Sequence, residues 1–217
     1  IADKGIWLAK KRYILNVHNS EGVQYTEPKL KIMGIEAIKS STPEVCRDKF
    51  KELFKIIVNG SEAETQQFIS EFREEFNSLP PEAVAFPRGV TDLSSWLEKD
   101  NKGLYKGKDL MYRKGCPIHV RGSIVYNNFL LNKKLTNKYE VIKNGEKIKF
   151  SYLKLPNHLK ENVIAFPGAL PVEMDLKKYI DYDKQFEKTF IEPLELILDS
   201  IGWKVGSDTA TLDAFFA

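Results

Sequence analysis

Apolar and polar positions alternate with period two at the start of the chain and change to a helical period near residue 42. Tyr13, Leu15 and Val17 fall two apart and predict a strand over 13–17. The run Asn19-Ser20-Glu21-Gly22 reads as a turn, followed by a short strand expected over 23–26 and another over 30–38. Thr42 then reads as an N-cap, with Pro43 at the first helical position and Glu44 in the first turn. Cys46, Phe50, Leu53, Phe54 and Ile57 keep helical spacing until Asn59-Gly60 ends the pattern. Ser61 and Glu64 form a capping box for a second helix with Phe68, Phe72 and Phe76 on one face. Aromatic residues at this period read as core rather than as platforms for stacked bases. The two helices are expected to pair as an antiparallel hairpin.

Leu79-Pro80-Pro81 breaks the helical pattern, and residues 82–116 read as irregular, rich in Gly, Lys and Asp. Lys99, Lys102, Lys106, Lys108, Arg113 and Lys114 are scattered through it, which suits either a solvated loop or a loop facing phosphates. Cys116-Pro117 opens a third helix, in which Ile118, Ile124, Val125, Phe129 and Leu130 are apolar and His119, Arg121 and Tyr126 are interleaved. Residues 139–142 and 147–155 flank Asn144-Gly145 and predict a β-hairpin with a type I′ turn. Ala165-Phe166-Pro167-Gly168 marks a bend. Asp181 or Asp183 would cap a last helix with Phe186, Phe190, Leu194 and Ile197 on one face, kinked at Pro193. The order of elements predicts an α+β fold: short antiparallel strands, then a mainly helical region with a small hairpin.

Composition narrows the function classes. At 217 residues, with 42% hydrophobic and 29% charged residues, the chain can bury a core and is not disordered. No apolar run approaches the roughly 18 residues that a membrane span needs, and no signal-peptide pattern opens the chain. It begins at Ile1, so an upstream segment is expected. A net charge of +3 gives no general attraction to nucleic acid, so any such affinity must come from local clusters. The densest is Lys10-Lys11-Arg12 beside Tyr13, which fits a phosphate backbone and the groove beneath it, and equally a solvated cationic edge strand. Cys46 and Cys116 fit neither a disulfide framework nor a zinc site, and His18, His119 and His158 share no metal-ligand spacing. Phosphate-loop, dinucleotide and nucleophile-elbow motifs are absent, and Asp181 and Asp183 sit where carboxylates favour a helix dipole.

Lys10-Lys11-Arg12-Tyr13, then Lys31-Ile32-Met33-Gly34-Ile35-Glu36, then Ser40-Ser41-Thr42-Pro43, resembles the C-terminal end of the palm in family B DNA polymerases, most of all the replicative polymerases of tailed phages. The likeness continues through CPIHVRGSIVYN and EKTFIEPLE, which are similar to segments of the phage thumb. It implies that residues 1–40 are the remainder of a palm, 41–207 a thumb and 208–217 a clamp-binding tail. Lys10, Lys11, Arg12 and Tyr13 would then lie along the minor groove and backbone near the primer terminus. Lys39 would supply a further minor-groove cation, and Arg121 and Tyr126 would help wrap the primer–template DNA. Leu212, Phe215 and Phe216 would plug a pocket of the sliding clamp, although Thr209 stands where such peptides prefer Gln. The family's catalytic aspartate motifs do not occur here, so no catalytic residue, metal ligand or cofactor is assigned to this chain. Mg2+ is expected in the complete polymerase, whose upstream segment would carry exonuclease, palm and fingers, and the chain alone is expected to be inactive. The resemblance implies a soluble protein in the cytoplasm of a phage-infected bacterium. The alternative is a stand-alone, non-enzymatic DNA- or clamp-binding module.

Overall fold

Three antiparallel strands open the chain in sequence order: β1 (Ala2–Ala9), β2 (Arg12–Ser20) and β3 (Val23–Met33). They belong to a computed structural model that describes residues 1–97 and 112–206. Ile6, Ile14 and Ile32 stand opposite one another and form the inward face, while Tyr13 and Leu15 point to the other side. Strand β1 has no counterpart in the apolar pattern because Ile6 is its one buried residue. Two strands were expected between 23 and 38, whereas β3 runs unbroken past Pro28 and stops at Met33. An edge strand tolerates a proline because its outward side has no ladder hydrogen bond to lose. Gly34, with φ of +67°, then turns the chain into a 3-10 turn over Glu36–Ile38.

Helix α1 (Glu44–Asn59) buries Cys46, Phe50, Leu53, Phe54 and Ile57, the set its spacing predicts. Its N-cap is Pro43 and not Thr42, whose hydroxyl donates to the Glu36 carbonyl (3.3 Å) and ties the helix start to the preceding turn. In α2 (Glu62–Ser78) the capping box forms as expected: Ser61 N–H donates to Glu64 Oε2 (2.7 Å) and Glu64 N–H to Ser61 Oγ (3.3 Å). Phe72 and Phe76 are core residues, as their period predicts, and Phe68 is half-buried. The last helical stretch comprises α6 (Tyr182–Phe186), a π-turn over Glu187–Ile191 and α7 (Glu192–Asp199). Asp181 caps it, accepting from Lys184 N–H (3.0 Å). Pro193 lacks an N–H and its ring would press on the carbonyl four residues back. The π-turn immediately before it, in which Glu192 N–H reaches the Glu187 carbonyl, accommodates both. Phe186 and Phe190 meet Phe50, Phe72 and Phe76, with ring centroids 4.4 Å apart for Phe50–Phe190 and 5.1 Å for Phe76–Phe186. These contacts define one compact unit, Ile1–Ser78 together with the chain from Phe186 on.

The second unit is Leu79–Gln185. It holds α3 (Pro81–Val84), β4 (Phe86–Gly89), α4 (Leu93–Trp96), α5 (Ile118–Asn132), β5 (Lys147–Tyr152) and β6 (Val163–Phe166), the strands forming an antiparallel β4-β5-β6 sheet. Helix α5 lies so close to β6 that a Cβ on Gly122 would sit 2.8 Å from the Ala165 nitrogen. The hairpin expected over 139–155 does not form. Asn127 takes both backbone groups of Ile142, donating to its carbonyl (2.8 Å) and accepting from its N–H (2.7 Å), so that segment needs no strand partner. Gly145 alone has positive φ, whereas a type I′ turn requires it at both central residues. Strand β5 pairs instead with β6 and with β4, the latter from a stretch that reads as irregular because a four-residue strand containing a proline and a glycine shows no alternation.

Candidate nucleic-acid interface

The two polymerase-like motifs are far apart in sequence and adjacent in space. Ala9 pairs with Arg12, so Lys10 and Lys11 form the two-residue loop of the β1–β2 hairpin, with Lys11 in the left-handed region (φ +63°). Tyr13 stands opposite Met33, which brings the second motif alongside the loop. Gly34 packs directly beneath it: an added Cβ would lie 2.2 Å from the Lys11 carbonyl oxygen and 3.0 Å from Arg12 Cγ. Arg12 Nε donates to the Gly34 carbonyl (3.3 Å) and locks the two segments together. A glycine is required here on both counts, positive φ and close approach. The result is a fixed turn with two exposed cations at its tip.

Behind that tip the outward face of the sheet is amphipathic. Trp7, Tyr13 and Met33 form one cross-strand row, with Trp7 65% and Met33 43% exposed and the Trp7 and Tyr13 rings 4.8 Å apart. Gly5, Leu15 and Lys31 form the next row, and Lys29 lies opposite Val17 with its ammonium 4.3 Å from the Tyr25 ring centroid. Trp7 and Lys29 are the members of this face that sequence reading missed, and Lys31 entered it only as part of the second motif. The missing signal was the pairing of β1 and β3 with β2, since β1 does not alternate by itself and the face that β3 presents is set by its register on β2. At the far end of the hairpin, Asp3 receives hydrogen bonds from His18 and Asn16 (2.9 Å), and the His18 bond chiefly holds its carboxyl below the ordinary range.

The remaining candidates divide. Lys39 is exposed and forms an ion pair with Glu36 of the second motif, so a phosphate would have to compete with that carboxylate. Arg121 belongs to the second unit, half-buried, with Nη2 on Asn162 Oδ1 and its guanidinium 5.6 Å from the Tyr112 ring centroid. Tyr126 is 2% exposed in the core of that unit, and burial pushes its hydroxyl up to about 12. It is therefore withdrawn as a DNA contact: a ring that fills the core cannot meet a backbone. Arg113 and Lys114 are exposed, while Lys99, Lys102, Lys106 and Lys108 lie outside the described residues, as do Leu212, Phe215 and Phe216. Among the described residues no group of three or more His, Cys, Asp or Glu could hold a metal ion.

Comparison with known proteins finds relatives among phage DNA polymerases. The chain is 31% identical over 216 residues to a DNA-directed DNA polymerase of Enterobacteria phage T4, covering 98% of this chain and 22% of that protein. It is 34% identical over 195 residues to a DNA-directed DNA polymerase of Escherichia phage RB69, covering 88% of this chain and 20% of the relative. The chain thus spans about a fifth of the length of the phage polymerases it matches. No family model matches it.

Proposed function

We propose that this chain is the part of a DNA-directed DNA polymerase that grips the primer–template duplex, working with catalytic carboxylates carried on the rest of the enzyme. The observation that carries the reading is the packing of Gly34 against the Lys10-Lys11 turn, which joins two separated motifs into one preorganised cationic tip. Phosphate contacts of this kind position a duplex without reading its sequence, and a groove whose acceptors are shared by all correct pairs can be tested for geometry by cations alone. In a metal-dependent displacement, holding the primer terminus in place supplies much of the rate. In this reading residues 1–40 complete the palm and 41–207 form the thumb. Residues 208–217 tether the enzyme to a sliding clamp through Leu212, Phe215 and Phe216, aromatic and aliphatic anchors of the sort that dominate small interfaces.

The test is reconstitution. The folded chain is mixed with the segment of its own polymerase that bears the carboxylates, and templated primer extension is measured. Extension by the mixture and by neither part alone is the expected result; a folded mixture that extends nothing removes the reading. Deleting residues 208–217 should leave distributive extension intact and abolish stimulation by the clamp. Duplex or clamp binding without any gain in extension would instead favour a stand-alone binding module.

A further inference from the structure

We propose that the second unit carries its own contact for a phosphodiester backbone, formed by Arg88, His119 and Lys184 on a shelf of Phe86, Phe150 and Tyr152. The inference rests on the duplex-gripping reading above and joins His119, from the thumb-like segment CPIHVRGSIVYN, to Arg88 and Lys184, which no motif marks. Phe86 and Phe150 are cross-strand partners in β4 and β5, with ring centroids 5.0 Å apart and planes 20° from parallel. The Arg88 guanidinium lies 5.4 Å from the Phe86 centroid and 5.8 Å from that of Phe150, and its Nη1 donates to the Pro87 carbonyl (2.7 Å). His119, from the first turn of α5, has its ring 6.3 Å from Phe150. Tyr152 stands 6.0 Å from Phe150, and the Lys184 ammonium is 4.9 Å from its centroid.

Three elements distant in sequence, β4, α5 and α6, thus set basic groups around the rings of one sheet face. The rings cannot serve as base platforms, because Phe86 is 8% and Phe150 4% exposed. Their faces instead fix the cations by cation–π attraction, which lowers the entropy lost when an anion binds. Burial and then the neighbouring Arg88 hold the His119 imidazole below its ordinary range, which favours its neutral form. An incoming phosphate would favour its protonation. The ligand is therefore a backbone phosphate, bound without base readout.

The full chain is titrated at low salt with a primer–template duplex, following fluorescence anisotropy and the proton NMR signals of the three histidine rings. The His119 signals should move on binding, while those of His158, which hydrogen-bonds the Met174 carbonyl, stay in place. Lys184→Ala, an exposed position, should weaken binding about fivefold and lower the salt slope by about 0.9, one phosphate's worth. Arg88→Gln, which keeps bulk on the shelf, should act in the same direction. If the duplex binds and Lys10→Ala/Lys11→Ala weakens it, yet His119 is still and both variants match the native chain, this contact is refuted and the grip at the hairpin stands. Movement of His119 with no effect of the hairpin substitutions upholds this contact and refutes the hairpin. Absence of all duplex binding refutes both. Equal movement of His119 by inorganic phosphate at the same phosphate concentration would mark a free-phosphate site and overturn the backbone assignment.

Discussion

The two sheets have the same three-stranded antiparallel topology in sequence order, but they expose it differently. In β1-β2-β3 one face is closed by Ile6, Ile14 and Ile32, while the other presents Trp7, Tyr13, Met33, Lys29 and Lys31. In β4-β5-β6 all four residues of β6 are buried, and the sheet serves as the floor of a core shared with α5. The first sheet has strands of eight, nine and eleven residues; the second has four, six and four. Long strands that bury only one face can carry a functional surface, because stability comes from elsewhere, here the phenylalanine cluster of α1, α2 and the last helix. Short strands must be buried to persist at all. The first sheet presents an open face, and the second chiefly holds its unit together.

That contrast predicts where substitutions separate stability from binding. The largest loss should follow Phe190→Ala: the ring is fully buried and stacked 4.4 Å from Phe50, so about 3–5 kcal/mol of stability disappears, read by urea denaturation. Gly34→Ala should come next, at about 2–4 kcal/mol, because it combines a left-handed backbone with a Cβ 2.2 Å from the Lys11 carbonyl. It should also weaken duplex binding in the protein that remains folded, since the turn must move. Gly122→Ala sharpens the contrast. Its Cβ meets the Ala165 backbone at 2.8 Å and should cost about 1–3 kcal/mol. Once the folded fraction is accounted for, the response to Lys10→Ala/Lys11→Ala should be unchanged. Equal binding defects in the two glycine variants would break the distinction between the sheets.

The smallest effect concerns pH. Hydrogen bonds from Lys138 and then Tyr139 (2.7 Å) hold the Glu173 carboxyl well below its usual range, at about 2. A depressed carboxyl stabilises the fold above its unfolded pKa of about 4.5, and this contribution fades as pH falls toward 2. Glu173→Gln should therefore lose little stability at any pH and show a shallower acid-side decline. High salt should shrink the difference further, because the pair is exposed.

Legibility in the sequence followed how much of an element's signal is local. Helices α1 and α2 could be read from spacing and capping, because Phe50, Phe54, Phe72 and Phe76 carry the period and Ser61-Glu64 the start. Strand β1 could not, since its partner is what makes it a strand, and β4 is too short to show a period. Tyr126 falls among interleaved polar residues on a helix that is buried nearly all round, so its chemistry suggested a surface that its packing denies. At the site the motifs were visible, whereas their meeting through Gly34 was not. Positive φ and a 2.2 Å approach are properties of the folded backbone alone.

The most direct measurement is binding of a fluorescent primer–template duplex to the native chain and to Lys10→Ala/Lys11→Ala at two salt concentrations, with thermal melts alongside. The two lysines are exposed at a loop tip, so stability should change by no more than about 0.5 kcal/mol. Affinity should fall about tenfold at low salt and the salt slope by about 1.8, the release of two phosphate contacts. A folded double variant that binds the duplex with the native affinity and the native salt slope would contradict the account.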